Sequence, residues 1–148
     1  MSEEIIYATS LASGIAAFET KSFSTANRLL APLAESGNPD AQFRMAVMCQ
    51  NGLGMVKNEQ GAADYMRKAA EQGHALAQHG LGFMYMEGEC VEKNANEAVK
   101  WFKLAADQGM QGSMSTLAMM YREGRGVEKN EEEARRLFEM AGFNPDEM

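Results

Sequence analysis

The stretch EGECVEKN at Glu87–Asn94 returns 36 residues later as EGRGVEKN at Glu123–Asn130, and a weaker copy, NGLGMVKN, precedes it at Asn51–Asn58. Repetition at one fixed period is typical of repeat proteins, in which each repeat is one supersecondary unit. The sequence therefore predicts an array of similar units.

The 36-residue period extends beyond the quoted stretch. Apolar residues between the glycines follow helical spacing, since Ala77, Leu81 and Met84 fall on one face of a helix. Each unit is therefore predicted to be a helix, a short loop and a second helix. The matching positions include Gly37, Gly73 and Gly109; Gly52, Gly88 and Gly124; Met48, Met84 and Met120; and Tyr65, Trp101 and Leu137.

The quoted stretch is predicted to connect the two helices of a unit. Gly88 can end the first helix in the left-handed conformation at no steric cost. Asn94 suits the N-cap of the second helix, and Glu97 can return a capping-box bond to it. The same roles fall to Gly124, Asn130 and Glu133.

Residues 8–37 carry a degenerate version of the unit, in which the turn between the two helices is four residues shorter than in the later units. Pro32 lies inside its second helix and is expected to kink it. We expect about eight helices in four antiparallel pairs, at residues 5–20, 24–36, 39–51, 59–72, 75–87, 95–108, 111–123 and 131–142.

Composition excludes several classes of protein. With 148 residues and 45% hydrophobic content the chain can bury a core, and the net charge of −7 without a basic stripe argues against nucleic acid as a partner. No secretory signal or long apolar span is visible, so no membrane partner is expected. Cys49 and Cys90 fit no paired spacing, which predicts free thiols in a cytoplasmic protein.

The sequence holds no motif of the common catalytic or ligand sites. GxxxxGK, HExxH, GxSxG and SxxK are all missing. His74 and His79 are five residues apart, which does not place them on one helical face as a metal pair requires. We therefore expect no enzyme activity, catalytic residue, cofactor or metal.

Residues 77–109, AQHGLGFMYMEGECVEKNANEAVKWFKLAADQG, resemble the Sel-one-like repeat (SLR) family, a branch of the tetratricopeptide-related α-solenoids. Cys90 stands where the family has a second loop glycine, kept here at Gly54 and Gly126. The resemblance implies an all-α fold, a right-handed α-solenoid of antiparallel helix pairs, over one domain at 1–148. Its parts would be a degenerate tetratricopeptide-like hairpin at 8–37 and repeats at 38–73, 74–109 and 110–142.

The resemblance also implies a function, because members of this family act mostly as scaffolds and adaptors that bind other proteins. Some secreted relatives carry a cysteine pair in each repeat and have been linked to β-lactam binding, a cysteine pattern that this chain lacks. The expected function is therefore protein–protein interaction. A hydrolase acting on esters or β-lactams and a self-assembling structural protein are the alternatives.

In such solenoids the first helix of each pair lines the concave surface, where we expect a partner peptide or helix to bind. Apolar residues in this stripe suit an interaction site, with Phe43, Phe83 and Met119 as central anchors. Strong curvature that buries the stripe is the alternative. The stripe comprises Phe43, Val47, Gln50, Asn51, His79, Phe83, Met86, Glu87, Ser115, Met119, Arg122 and Glu123.

The last helix raises the possibility of self-association. No later helix follows to cover Leu137, Phe138 and Phe143, whereas solenoids normally carry a polar cap at their ends. A homodimer through the C-terminal helix is therefore a second expectation.

Overall fold

In the computed structural model, which describes residues 2–144 and 146, the chain forms eight α-helices and these residues contain no strand. Each helix begins and ends within two residues of the predicted bounds, so the predicted all-α fold is confirmed. The helices are α1 (Glu3–Glu19), α2 (Phe23–Glu35), α3 (Pro39–Asn51), α4 (Glu59–Glu71), α5 (Ala75–Glu87), α6 (Ala95–Asp107), α7 (Gln111–Glu123) and α8 (Glu131–Met140).

The helices divide into two compact units, and the division falls at a repeat boundary in the sequence. Unit 1, Met1–His74, contains α1 to α4, and unit 2, Ala75–Met148, contains α5 to α8. In each unit consecutive helices pack against one another as antiparallel hairpins. Across residues 2–144 and 146, no helix is both long enough and apolar enough to span a lipid bilayer.

The asparagine that ends each loop has two roles. The Asn94 side chain accepts a hydrogen bond from Glu97 N at 3.1 Å, which caps α6, while its own backbone N–H donates to Tyr85 O at 2.9 Å. Asn130 repeats both bonds, the second to Tyr121 O at 2.9 Å. One residue therefore starts the second helix and closes the hairpin onto the end of the first.

The capping-box bonds expected from Glu97 and Glu133 do not form. The backbone N–H of each capping asparagine is already bonded to the preceding helix, so no donor remains for the glutamate. Glu97 instead lies 3.9 Å from Lys100 Nζ. Glu133 accepts a hydrogen bond from Arg136 Nε at 3.0 Å. The prediction of the N-cap was correct and that of the return bond was wrong.

Left-handed backbone is confirmed at the loop glycines, and it extends to Cys90. Gly88 and Gly124 have φ values of 70° and 67°. Cys90 has φ of 65°, close to the 73° of Gly126, its counterpart in the next repeat. A side chain with a Cβ is disfavoured in this conformation, so the repeat at 74–109 holds local strain at a position where another repeat uses glycine.

Cys90→Gly should therefore raise the free energy of unfolding, by about 1 kcal/mol, because glycine adopts positive φ without the steric cost. Urea unfolding followed by circular dichroism measures the change. Cys90→Ser is the matched control, since it removes the thiol and keeps the Cβ, and it should leave stability within about 0.5 kcal/mol of the wild type. An equal gain in both variants would assign the effect to the thiol instead.

The cores of the two units follow the repeat positions. Met48, Met84 and Met120, which share one repeat position, are all buried. Leu137 and Phe138 are buried too, so the expectation that the last helix leaves them uncovered was wrong for these two residues, whereas Phe143 is 49% exposed as expected. The Arg122 guanidinium lies 4.7 Å from the Phe138 ring centroid, and the Phe143 ring meets Phe138 edge-on at 6.4 Å. These contacts cover the Phe138 ring.

Candidate functional site

One hydrogen bond joins the two helices of unit 2 that carry stripe residues. His79 Nδ1 on α5 lies 2.6 Å from Ser113 Oγ on α7, and Ser113 is fully buried. A Cβ added at Gly112 would meet the His79 ring at 3.3 Å, so the small residue lets the ring approach α7 closely. The contact links α5 to α7, the two helices that carry the stripe residues of unit 2.

The His79–Ser113 pair has the residue types of a base and a nucleophile, but its geometry suits packing. Ser113 has no solvent-accessible surface, so a substrate carbonyl could not reach its Oγ without opening the helices. Among the described residues no cluster of His, Cys, Asp or Glu could hold a metal ion. The pair is therefore a partly buried hydrogen bond between helices.

Phe83 forms the apolar centre of the α5 side. Its ring meets His79 edge-on at 4.9 Å and Phe102 edge-on at 5.1 Å, which fixes the ring against the core. Phe83 nevertheless remains 37% exposed. A ring that is rigidly supported and open to solvent on its other side suits an anchor for a partner.

The α7 side adds a second exposed apolar residue and a charged edge. Met119, at the position of Phe83 one repeat later, is 51% exposed, and Glu123 is exposed beside it. Arg122 is held over Phe138, and its Nε lies 3.9 Å from Glu131 Oε2. Ser115 Oγ donates to Gly112 O at 3.1 Å. The available charge on this face is therefore acidic.

Met86 was expected to face solvent with the rest of the stripe, and this was wrong. It is 8% exposed and belongs to the core of unit 2 with Val99 and Phe102. Arg125 Nη2 also donates to Met86 O at 3.0 Å, which draws the following loop over the end of α5. Glu87, the next residue, is exposed.

In unit 1 the stripe residues are more covered. The Phe43 ring stacks on the His74 ring at 5.0 Å, and His74 Nε2 lies 3.1 Å from Asp40 Oδ1. Val47 is half-buried, and its carbonyl accepts a hydrogen bond from Asn51 Nδ2 at 2.9 Å. Gln50, also half-buried, completes the set. The exposed apolar surface of the stripe is thus concentrated on Phe83 and Met119 of unit 2.

Two buried glutamines were missed by sequence reasoning. Gln78 Oε1 accepts a hydrogen bond from Gln108 Nε2 at 2.8 Å in unit 2, and Gln42 pairs with Gln72 at 2.7 Å in unit 1. Both buried residues occupy one repeat position, and both partners occupy another. The recurrence of glutamine at both of these repeat positions is the sequence signal that could have predicted the two pairs. These bonds satisfy polar groups inside each hairpin.

Burial lowers the pKa of His79 below its ordinary value of 6.5. The unfolded chain therefore binds a proton at this residue at higher pH than the folded chain does, so the free energy of unfolding should fall as pH drops below about 6.5. Urea unfolding at pH 7.5 and 5.5 measures the loss. His79→Asn, which can keep a hydrogen bond to Ser113 without titrating, should show a smaller loss. An equal loss in both proteins would place the pH dependence on other groups.

The geometry of repeated helical hairpins agrees with a direct comparison of sequences. The Sel1 repeat family matches residues 39–74, 75–110 and 113–142, which is more than half of the chain. The chain belongs to the Sel1 repeat family. Sel1 repeats are generally protein-interaction modules and non-catalytic scaffolds. No curated protein sequence matches the chain.

Solved structures carry the same fold. A Sel1 repeat protein from Oxalobacter formigenes is 35% identical with a TM-score of 0.84 over 88% of this chain, which covers 54% of that protein. A protective antigen of uropathogenic Escherichia coli with an SLR fold is 36% identical with a TM-score of 0.76 over 78% of this chain. This chain spans only 25% of that antigen.

A more distant structure supports the fold alone. Cysteine rich protein B of Helicobacter pylori is 23% identical, with a TM-score of 0.64 over 82% of this chain and 86% of that one. At this level of identity the likeness concerns the backbone and does not extend to activity.

Proposed function

We propose that this Sel1 repeat protein is an adaptor that binds a peptide or helix of another protein through the exposed face of α5 and α7, here called the unit 2 patch: Phe83, Met119, Glu87 and Glu123. The observation that carries this proposal is the exposure of Phe83 and Met119 on helices that the His79–Ser113 bond holds together. Exposed apolar residues on a rigid face are typical of binding surfaces, and methionine adapts to partners of different shape.

The charges of the unit 2 patch indicate the chemistry of the partner. Glu87 and Glu123 are both exposed beside the apolar residues, while Arg122 is occupied by Phe138 and Glu131. The chain as a whole carries a net charge of −7. A partner segment with one or two large apolar side chains flanked by lysine or arginine would therefore be complementary.

The stripe residues of unit 1 are assigned the same role within their own repeat. Phe43 and Val47 would add apolar contacts, with Gln50 and Asn51 as polar neighbours. Because Phe43 is stacked on His74 and Val47 is half-buried, their contribution to affinity should be smaller than that of the unit 2 patch.

The double substitution Phe83→Asp with Met119→Asp tests this proposal. Proteins recovered from lysate by the wild type and lost with this variant are identified, and the dissociation constant of one such partner is then measured by calorimetry. We expect the dissociation constant to be at least about 30-fold higher for the double variant, because it lacks the central anchors of the interface. Added salt should also weaken the wild-type complex, because the partner is basic.

Leu104→Asp is the matched control, since Leu104 is an exposed apolar residue of the same unit on α6, outside the patch. It should bind the partner as the wild type does, and circular dichroism checks that all three proteins are folded. A similar loss in the control and the double variant would contradict the proposed site.

A specific surface favours self-association as a second candidate, at α1 instead of the last helix. No charged residue occurs from Ile5 to Phe18, and Ile5, Ile6 and Tyr7 are all exposed. Of the three residues that suggested the C-terminal helix, Leu137 and Phe138 are by contrast buried, and only Phe143 is exposed. A second copy presenting the same uncharged face would match α1 without leaving a charge unpaired.

Light scattering across a range of concentrations tests this second candidate against the monomer mass of 16.3 kDa. We expect the mass to rise toward twice that value, and the change Ile5→Glu with Ile6→Glu to hold the chain at the monomer mass. Val56→Glu, at an exposed loop residue, is the control and should still associate. A monomeric wild type at millimolar concentration would exclude the α1 interface.

A further inference from the structure

A cavity of about 470 Å³ opens on unit 2 between α6, α7 and α8, on the side of α7 away from the unit 2 patch. Its buried lining is apolar and includes Met114, Leu117 and Leu137. Lys103 and Asp107 of α6 stand at its edge. The volume falls within the range of about 300–1,000 Å³ found for ligand sites.

The internal repeat shows which chemical group fills the matching place in unit 1. Leu137 aligns with Tyr65, two periods earlier, and Asp107 aligns with Glu35. Tyr65 reaches from α4 to α2 and donates its hydroxyl to Glu35 Oε1 at 2.6 Å. Burial and the bond to Glu35 raise the pKa of Tyr65, so its hydroxyl stays protonated as a donor. The cavity beside it measures about 250 Å³.

Unit 2 keeps the acceptor of this bond and lacks its donor. Leucine at position 137 is too short to cross from α8 to α6, and Asp107 supplies the carboxylate that Glu35 supplies in unit 1. Tyr121 does not replace the missing phenol, because its ring forms a wall of the cavity and lies 5.7 Å from Lys103 Nζ. The space that Tyr65 occupies in unit 1 is therefore open in unit 2.

The charges around the cavity favour an uncharged phenol. Arg136 hydrogen-bonds to Glu133, which lowers the pKa of that carboxyl and keeps the pair together. Lys103 and Arg136 can both approach the face of an incoming aromatic ring. Asp107 and Glu133 would repel a phosphate, which argues against a phosphorylated tyrosine.

We propose that this cavity binds a tyrosine side chain of a partner protein, with the ring on Leu117 and Leu137 and the hydroxyl donating to Asp107. The inserted side chain would take the place that Tyr65 takes against Glu35. The peptide backbone on either side of it would cover the exposed Met140 and the edge charges, which a free phenol could not do. This site is separate from the unit 2 patch and does not depend on the proposed function.

A titration with N-acetyltyrosinamide, followed by the methyl NMR signals of Met114, Leu117 and Met140, tests the site. We expect saturable shifts at those methyls with a dissociation constant of about 1 mM, as suits a fragment of this size. N-acetylphenylalaninamide, which lacks the hydroxyl, should bind about 5-fold or more weakly. The phosphotyrosine analogue should not bind. Equal affinity for the tyrosine and phenylalanine amides, or no saturable shift, would overturn the proposal.

Two variants locate the binding. Leu137→Tyr should fill the cavity as Tyr65 does in unit 1 and abolish the shifts. Asp107→Ala removes an exposed carboxylate at the C-terminal end of α6, where a negative charge does not stabilise the helix, so this variant should fold even if Leu137→Tyr does not. Asp107→Ala should weaken the binding of N-acetyltyrosinamide about 5-fold and leave the binding of N-acetylphenylalaninamide unchanged.

Two further results would overturn the assignment. Unchanged tyrosine binding in Asp107→Ala would exclude the carboxylate as the acceptor. p-Cresol, the side chain without its backbone, should bind more weakly than N-acetyltyrosinamide, and equal affinity would assign the cavity to free phenols instead of a protein segment.

Discussion

Gly126→Ala should lower the free energy of unfolding by about 3 kcal/mol or more. Gly126 has φ of 73°, and a Cβ there would lie 2.5 Å from the Ala95 carbonyl oxygen. The contacted atom is backbone at the start of α6, so it cannot turn aside as a flexible side chain would. The loop between α7 and α8 would have to move away from α6. Urea unfolding of the full chain measures the loss.

Gly109→Ala separates the cost of positive φ from the cost of the steric clash, which both contribute to the loss in Gly126→Ala. Gly109 also has positive φ, at 92°, but a Cβ there would meet no atom within 4 Å. Its substitution should therefore lower the free energy of unfolding by only about 1 kcal/mol, the cost of placing a residue with a Cβ at positive φ. Equal losses in the two variants would show that the loop can withdraw from α6 freely, contrary to the close approach described.

Phe102→Ala should lower the free energy of unfolding by about 4 kcal/mol, within the range measured for buried phenylalanines. The ring is fully buried, and a Cβ at Gly82 would lie 2.8 Å from it, so α5 packs directly onto the ring. Thermal and urea unfolding both report the loss. Leu104→Ala, two residues away on the exposed side of α6, should change stability by less than about 0.5 kcal/mol.

The same substitution should also weaken partner binding, because Phe102 supports the rings of Phe83 and His79 at 5.1 Å and 5.7 Å. Phe102→Leu keeps most of the volume and should cost less than half as much stability. If Phe102→Ala remained folded and bound its partner with unchanged affinity, the ordered position of Phe83 would be irrelevant to binding.

The local structure of this chain was readable from its sequence. Helix bounds came from the 36-residue period, and the caps at Asn94 and Asn130 came from residue type and spacing. Each of these features depends on atoms a few residues apart, such as the asparagine oxygen and the N–H three residues later. The error at Glu97 and Glu133 arose where a distant group intervened: the carbonyls of Tyr85 and Tyr121 occupy the donor that the glutamates needed.

The candidate site could be predicted only in part. The stripe positions followed from the repeat register, but its members differ in exposure: Met86 is buried, Met119 is open, and Phe83 is open only on one side. A repeat register places a residue on a helix face, whereas its exposure depends on which other side chains lie over that face. The 36-residue period of the sequence therefore does not predict how exposed each stripe residue is.

The sequence by itself determined the family, the eight helices and the residues that begin and end them, because these rest on short-range hydrogen bonds and backbone preferences that recur in each repeat. Only the tertiary structure decided which surfaces remain open. It covered Phe138 with Arg122 and Phe143, linked His79 to Ser113, and left a cavity where Leu137 is shorter than Tyr65. These outcomes depend on side chains brought together from different helices, whose packing fills or leaves space according to shape and volume.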